Sequence, residues 1–121
     1  MLINKVYGLL GISSKAGKVV SGTEAVEEGI LKRNIKLVIV AKDASEKTIQ
    51  NIKLLCDKKK ITLLIFGTVF DNSKSIGKVN RAVIGIKDKN LSEAIKKLIT
   101  GGEEIGKNKN SWIGKNIRCR K

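Results

Sequence analysis

The residue types best suited to binding chemistry stand around Gly22, in the segment Lys18-Val19-Val20-Ser21-Gly22-Thr23-Glu24. The valines predict a short strand, and the residues after the glycine predict a helix that begins at once. Ser21 and Glu24 have the spacing of a capping box, in which hydroxyl and carboxylate satisfy N–H groups of the first helical turn. Glycine also lets another backbone come close. The N–H groups and dipole of such a helix start attract a phosphate or a base edge, although a well-capped helix alone explains the same pattern.

A second segment with binding chemistry is Ser75-Ile76-Gly77-Lys78-Val79-Asn80-Arg81. It joins a short predicted helix to the last predicted strand, and it carries two cations around one apolar residue. A solvated loop explains it equally well when the segment is taken alone. If the loop lies beside the glycine turn, Lys18, Lys78 and Arg81 offer positive charge to a folded RNA backbone. Val79 then offers an apolar contact to a base.

The net charge of the chain points to a polyanionic partner. Lysine and arginine total 25 against 11 acidic residues, which gives a net charge of +14 and a pI near 10. A lysine-rich genome explains part of this excess, but such a bias also raises the number of acidic residues, which are scarce here. We therefore expect a nucleic acid as the partner.

Most enzymatic chemistry lacks its usual groups in this sequence. The chain has no histidine and only two cysteines, Cys56 and Cys119, neither in the spacing of a metal or redox site. Structural zinc and histidine-based catalysis are thereby excluded, and such sparse cysteine usage is typical of a reducing cytosol. Gly11 to Lys18 matches a phosphate-binding P-loop poorly, because five residues separate its glycines and Val19 replaces the hydroxyl residue. No apolar run approaches the roughly 18 residues of a membrane span, so we expect no membrane partner.

The elements that must position these segments alternate along the chain. A helix between Leu2 and Ser14 precedes four predicted strands, each followed by a helix. The strands are predicted at residues 18–20, 36–41, 61–66 and 82–86. The helices after the strands begin at patterns typical of caps: Ser21–Glu24, Asp43–Glu46, Thr68–Asp71 and Asn90–Glu93. This alternation predicts an α/β fold, a three-layer α–β–α sandwich with helices on both faces of the sheet.

The chain length fits one domain, which we expect to occupy residues 1–100. Residues 101–121 hold six basic and two acidic side chains and predict a basic C-terminal tail. Trp112 either pins this tail to the domain or stacks on a base. The chain has only four aromatic residues, and Phe66 and Phe70 fit core positions, so the exposed aromatic sheet of an RRM-type RNA binder is not expected.

Several stretches match a known family in order and spacing. They are Gly8-Leu9-Leu10-Gly11, Lys15-Ala16-Gly17-Lys18, Ser21-Gly22-Thr23-Glu24-Ala25-Val26, Lys36-Leu37-Val38-Ile39-Val40-Ala41-Lys42-Asp43-Ala44-Ser45, Ser75-Ile76-Gly77-Lys78 and Arg81. In these stretches the chain resembles the kink-turn-binding ribosomal protein family, of the large-subunit protein seven-Ae/thirty-e type. Within this family it resembles the bacterial YlxQ-like branch. The resemblance implies a mixed four-stranded sheet, no cofactor, no metal, and binding of sharply bent RNA. The residues expected to bind RNA are Lys18, Ser21, Gly22, Thr23, Glu24, Lys78, Val79 and Arg81.

The sequence departs from the family pattern in the helix after the glycine. Kink-turn binders follow the glycine with a small residue, then Asn, Glu and, three residues further on, Lys. This chain has Thr23, Glu24, Ala25 and Glu28 at those positions. Glu24 can accept a hydrogen bond from a guanine edge but cannot donate one as asparagine can. Glu28 reverses the charge of a phosphate-contacting lysine, and with Glu24 one turn earlier it predicts an acidic stripe.

We therefore expect a cytoplasmic, monomeric, non-enzymatic protein that binds structured RNA in a ribosomal or translation context. Kink-turn RNA is a candidate ligand, and ribosomal proteins are candidate partners. The alternative is a protein-interaction module in translation or ribosome assembly, with RNA affinity only through its basic tail. The two carboxylates Glu24 and Glu28 at the expected RNA face favour this alternative.

Overall fold

Helices and strands alternate throughout the computed structural model, which describes the backbone of residues 2–100 and the side chains of residues 4–100. In chain order the elements are α1 (Leu2–Lys15), β1 (Val19–Ser21), α2 (Thr23–Leu31), β2 (Leu37–Val40), α3 (Glu46–Lys59), β3 (Thr62–Ile65), α4 (Val69–Ser75), β4 (Val83–Ile86) and α5 (Lys89–Thr100). The predicted order is confirmed, and the predicted strand bounds agree to within one residue. The predictions for the tail and for Trp112 lie outside the described residues.

The four strands form one mixed sheet in the order β1-β4-β2-β3. β4 pairs antiparallel with β1 and with β2, whereas β2 and β3 pair in parallel. Strands β1, β2 and β3 therefore finish at the same end of the sheet, and β4 begins there. We call this end the Gly22 end and the opposite end the Lys36 end. The mixed sheet implied by the family resemblance is confirmed.

Two hydrophobic layers cover the two faces of the sheet. On one face α2 and α3 bury aliphatic side chains such as Ile30 and Ile52 against it, and on the other face α1 and α5 bury residues such as Leu10 and Ile95. Every residue of β2 and β4 is buried, because these central strands are covered on both faces. Each such Leu or Ile stabilises the fold by roughly 1.5–3 kcal/mol relative to an exposed position. The predicted three-layer sandwich is confirmed.

The helix starts agree with the cap predictions only in part. Thr68 caps α4 as predicted, since its Oγ1 accepts from the backbone N–H three residues later at 3.1 Å. The cap predicted at Asp43 is wrong, because Ser45 caps α3 and the carboxylate of Asp43 accepts from the first N–H of α4 at 2.8 Å. The cap predicted at Asn90 is also wrong, because Asp88 Oδ2 accepts from the N–H three residues later at 2.8 Å. Local spacing cannot tell which of two neighbouring side chains reaches the helix.

The two phenylalanines occupy different environments. Phe66 packs beside Tyr7, with their ring centroids 5.6 Å apart, so the core position predicted for it is confirmed. Phe70 is 72% exposed, and the core position predicted for it is wrong. The short helix α4 buries Asn72 and Ser73 instead, which turns Phe70 outward. Within residues 2–100, no helix has the length and hydropathy needed to cross a bilayer.

Candidate nucleic-acid interface

Gly22 is the single residue between strand β1 and helix α2. Its φ of 98° and ψ of 145° lie in a region that residues with a Cβ rarely adopt. The backbone N–H of Gly22 donates to the carbonyl of Val83 at 2.9 Å, and its carbonyl accepts from the N–H of Val26 at 2.9 Å. The turn is therefore fixed to the start of β4 on one side and to the first turn of α2 on the other.

The first turn of α2 has no side-chain cap. Gly22 occupies the cap position, and no side chain accepts from the first turn, so the predicted capping box of Ser21 and Glu24 is wrong. Ser21 is instead the last residue of β1. Within the described part of the chain, the backbone N–H groups of Thr23, Glu24 and Ala25 have no acceptor. These three donors, at the positive end of the helix dipole, are open to an anionic ligand.

Arg81 lies beside the glycine turn. Its backbone N–H donates to the Oγ of Ser73 at 2.7 Å, and the Ser73 hydroxyl donates back to the Arg81 carbonyl at 3.3 Å. Because Ser73 is buried in α4, these bonds hold Arg81 in place. A Cβ on Gly22 would stand 3.6 Å from Arg81 Nη1. The predicted juxtaposition of the turn and the loop is confirmed.

The guanidinium group of Arg81 keeps unused hydrogen-bonding capacity. Its Nε is buried and has no partner among residues 4–100. Buried donors of this kind are normally paired in folded proteins. A planar group of five N–H donors beside an open helix start is suited to a phosphate or a base edge.

The remaining residues of the second loop point to solvent. Lys78 is exposed, and its backbone N–H donates to the Ser73 carbonyl at 2.9 Å. Val79 is 77% exposed, the highest value among the large hydrophobic side chains described. The loop is anchored to α1 by the hydroxyl of Ser14, which donates to the carbonyl of Ile76 at 3.2 Å. An exposed apolar side chain on an anchored loop is available for contact with a base.

Lys18 is separated from the glycine turn by strand β1. It precedes β1, and its carbonyl accepts from the N–H of Lys87 at 2.8 Å, which places it at the Lys36 end of the sheet. The three residues of β1 lie between it and Gly22, so the two residues are four steps and about 13 Å apart at roughly 3.3 Å per residue. Lys18 therefore does not lie beside Gly22, and its expected part in RNA binding stays a prediction.

Glu24 and Glu28, the two carboxylates that depart from the family pattern, differ in their surroundings. Glu28 forms an ion pair with Lys32, with Oε2 and Nζ 2.9 Å apart and both side chains exposed. The hydrogen bond from Lys32 and its charge lower the pKa of the Glu28 carboxyl. Glu24 is exposed in the first turn, and no salt bridge to it occurs within residues 4–100. The predicted acidic stripe is thus offset by a lysine at one of its two positions.

Sequence reasoning missed two exposed side chains at the Gly22 end. Phe70 stands in the first turn of α4, which follows β3, with Lys74 Nζ 5.9 Å from the centre of its ring. Lys42 follows β2, and its backbone N–H donates to the Gly67 carbonyl at 2.8 Å. Lys42 was detectable, since the first lysine after a wholly buried apolar run must emerge at the end of the sheet. The exposure of Phe70 could not be predicted in this way, because a phenylalanine on a short helix is equally consistent with a core position.

Comparison with known proteins relates this chain to RNA-binding and ribosomal proteins. The model of the Ribosomal protein L7Ae/L30e/S12e/Gadd45 family matches residues 4–96. RNA-binding protein YlxQ of Enterococcus faecium is 32% identical over 97 residues, which cover 80% of this chain and 93% of that protein. The protein of the same name from Bacillus subtilis is 30% identical, with 77% and 93% covered. Large ribosomal subunit protein eL8 of Thermoplasma acidophilum is 28% identical, with 85% and 87% covered.

Two solved structures share the fold of this chain. A protein of unknown function from Bacillus halodurans superposes with a TM-score of 0.77 at 30% identity, over 79% of this chain and 97% of that one. The Giardia lamblia 15.5kD RNA binding protein superposes with a TM-score of 0.70 at 16% identity, over 83% and 86%, and supports the fold alone. The chain belongs to the L7Ae/L30e/S12e/Gadd45 ribosomal protein family, in its bacterial YlxQ-like branch.

Proposed function

We propose that this protein binds structured RNA through the surface formed by the Gly22 turn, the first turn of α2 and the loop from Lys78 to Arg81, which we call the Gly22–Arg81 surface. The observation that carries the proposal is the guanidinium of Arg81 beside an uncapped helix start. Both elements offer hydrogen-bond donors and positive potential, and neither is fully satisfied within residues 4–100.

RNA is the polyanion that the relatives favour. Two of them are named as RNA-binding proteins, and a third is a ribosomal protein. The net charge of +14 suits the same partner. The prediction of a non-enzymatic protein is confirmed by this family and these relatives. A cytoplasmic, monomeric protein in a ribosomal or translation context remains part of the proposal, as do ribosomal proteins as candidate partners.

Each part of the surface has a distinct role in the proposed complex. Hydrogen bonds to phosphate oxygens or to a guanine edge come from the N–H groups of the first α2 turn and from the guanidinium of Arg81. Lys78 adds a mobile point charge. Val79 packs against an unstacked base, which is accessible only where the RNA is not a continuous duplex. Unstacked bases next to closely spaced phosphates occur in bent and looped RNA, which is why we propose a structured ligand.

The finer proposal is that the RNA is a kink-turn, as the family resemblance implies. Glu24 stands where the family has asparagine, so it reads a guanine edge only as an acceptor. The ion pair with Lys32 reduces the repulsion that Glu28 exerts on a phosphate. Kink-turn RNA is therefore proposed as a ligand that this surface binds more weakly than a family member with Asn and Lys at these two positions.

The alternative is a protein-interaction module whose RNA affinity comes only from the basic residues 101–121. The exposed Glu24 carboxylate beside the turn favours this alternative, because a carboxylate repels phosphate. Only a hydrogen bond that Glu24 accepts from a base would offset this repulsion. A partner with basic side chains would suit the exposed acidic residues of α2.

Amide NMR of the full chain titrated with kink-turn, duplex and single-stranded RNA tests the proposal. We expect the amides of Thr23, Ala25 and Lys78 to shift most with bent RNA, while those on the outer face of α3 stay unchanged. Shifts confined to residues 101–121 would contradict the proposal and favour the interaction module.

A further inference from the structure

A cavity of about 330 Å³ lies at the Lys36 end of the sheet, away from the Gly22–Arg81 surface. Leu37 and Thr62, which pair at the starts of β2 and β3, contribute to its lining. Three lysines line it as well: Lys36 directly before β2, and Lys89 and Lys96 on α5. The four residues of β4 separate this cavity from the start of β4, where the other surface lies. The cavity residue Leu37 pairs with Ile86, three residue steps from Val83, so about 10 Å of strand lies between the two sites at roughly 3.3 Å per residue.

The charged residues of the cavity are arranged on one helix face and one loop. Lys89 and Lys96 stand two turns apart on α5, and Ser92 lies between them on the same face. Glu93 is the one carboxylate in the lining and offsets one of the three lysine charges. None of these lysines forms an ion pair within residues 4–100. The cavity therefore holds a net excess of positive charge that no described group neutralises.

Ser92 has a buried hydroxyl without a hydrogen-bond partner among residues 4–100, and this observation is independent of the lysine charges. It lines the cavity, is only 5% exposed, and its Oγ has no hydrogen-bond partner in the described part of the chain. Its backbone N–H is satisfied by the carbonyl of Asp88 at 2.9 Å, so the hydroxyl alone is left over. Buried hydroxyls are nearly always paired, so this hydroxyl lacks a partner that a ligand bound in the cavity would supply.

We propose that this cavity binds a phosphate group. The ammonium groups of Lys36, Lys89 and Lys96 provide the charge, and the hydroxyls of Ser92 and Thr62 provide neutral donors. A phosphate monoester carries a charge of about −1.5 to −2 at neutral pH, which the excess of the lining residues matches. The phosphate belongs either to an RNA backbone or to a free phosphorylated compound. The site does not depend on the Gly22–Arg81 surface.

The test compares two triple variants of equal charge. Lys36→Gln, Lys89→Gln and Lys96→Gln are combined in the cavity variant, and the control variant changes three exposed lysines outside the cavity lining, Lys15→Gln, Lys58→Gln and Lys97→Gln. Inorganic phosphate and pyrophosphate are titrated at constant ionic strength, with the amides of residues 89–93 followed by NMR. We expect saturable shifts in wild type and control, and a tenfold or greater loss of affinity in the cavity variant.

A second arm separates the two sources of phosphate. The same variants are compared for RNA affinity at fixed salt, beside Arg81→Gln, which reports on the Gly22–Arg81 surface alone. If the cavity variant loses more RNA affinity than the control variant, the phosphate belongs to the RNA backbone. If the two variants lose RNA affinity equally and only the cavity variant loses pyrophosphate affinity, the phosphate belongs to a free compound. The proposal is overturned if neither pyrophosphate nor RNA distinguishes the two triple variants.

Ser92→Ala gives a further readout that does not depend on charge. Because its hydroxyl has no partner in the fold, the melting temperature in phosphate-free buffer should stay the same or rise. The affinity for pyrophosphate should fall several-fold. A lowered melting temperature with unchanged pyrophosphate affinity would mean that the hydroxyl serves the fold and not a ligand.

Discussion

The backbone N–H of Gly22 donates to the carbonyl of Val83 at 2.9 Å, and this bond joins the two segments of the Gly22–Arg81 surface. Val83 begins β4, so the position of Arg81, two residues earlier, is tied to the position of the turn. The φ of 98° at Gly22 is needed for the chain to leave β1, make this bond and start α2 within one residue.

Gly22→Ala should therefore destabilise the protein. Space is not the obstacle, since an added Cβ would lie 3.6 Å from Arg81 Nη1, but the backbone conformation costs a residue with a Cβ about 1–3 kcal/mol. Urea unfolding measures the change. The control is Gly8→Ala on the exposed side of α1, where an added Cβ meets nothing within 4 Å and a gain of about 0.5–1 kcal/mol is expected. Similar effects of the two substitutions would contradict the role given to Gly22.

Restoring the family-like residues should tighten binding to kink-turn RNA. The variant combines Glu24→Asn, Ala25→Glu and Glu28→Lys, and each recovered charge-assisted hydrogen bond is worth about 1.5–3 kcal/mol, so a gain of tenfold or more is expected. Loss of the pair with Lys32 should cost only a few tenths of a kcal/mol. No loss of a capping box is expected, since α2 has none.

The matched control for this variant is Asp57→Lys on α3. Like the triple variant it raises the net charge by two, and it also breaks an exposed ion pair four residues apart, between Asp57 and Lys53. Kink-turn affinity should rise more in the triple variant than in this control. An equal rise in both would show a non-specific charge effect and would favour the interaction module.

Phe70→Ala should weaken RNA binding with little effect on stability. Stacking of a base on an aromatic side chain is worth about 1–3 kcal/mol by alanine substitution, and Phe70 is 72% exposed beside Lys74. Leu54→Ala on α3 removes a side chain of similar exposure, 66%, away from the Gly22 end. Fluorescence anisotropy with looped RNA measures both. Unchanged affinity in the Phe70 variant would confine the interface to the Gly22–Arg81 surface.

Residues 1–100 should fold without the tail. Every strand of the sheet and α5 precede residue 101. Removal of six basic and two acidic residues lowers the net charge from +14 to +10, so RNA affinity should weaken through lost long-range attraction. Thermal unfolding followed by circular dichroism should stay cooperative. A fragment that does not unfold cooperatively would indicate that Trp112 and Ile113 belong to the core.

The sequence was sufficient to predict the strands and their order along the chain. The run from Leu37 to Val40 has no polar side chain, and only a strand covered on both faces tolerates this. The turn at Gly22 and the loop at Lys78 were also predictable, because each lies at a junction between a helix and a strand. The resemblance to the family supplied the mixed sheet, which local patterns cannot determine.

The details of the site depended on three-dimensional placement. Spacing alone suggested a cap at Ser21, but the strand extends through Ser21 and the helix starts one residue later than the box requires. Lys18 is close to Gly22 in sequence, yet the strand between them carries it to the other end of the sheet. The outward direction of Phe70 follows from the burial of Asn72 on the same helix, which no apolar pattern announces.

The most direct test of the proposed interface is the salt dependence of RNA binding for Arg81→Gln beside Lys58→Gln. Wild type should show a log–log slope of about −3 to −6 if roughly four to eight phosphates are neutralised at about 0.7 each. Arg81→Gln should reduce affinity about tenfold or more and flatten the slope by something under one unit, while Lys58→Gln on the last turn of α3 should change both only slightly. Equal effects of the two substitutions, in proteins with unchanged melting temperatures, would contradict RNA binding at the Gly22–Arg81 surface.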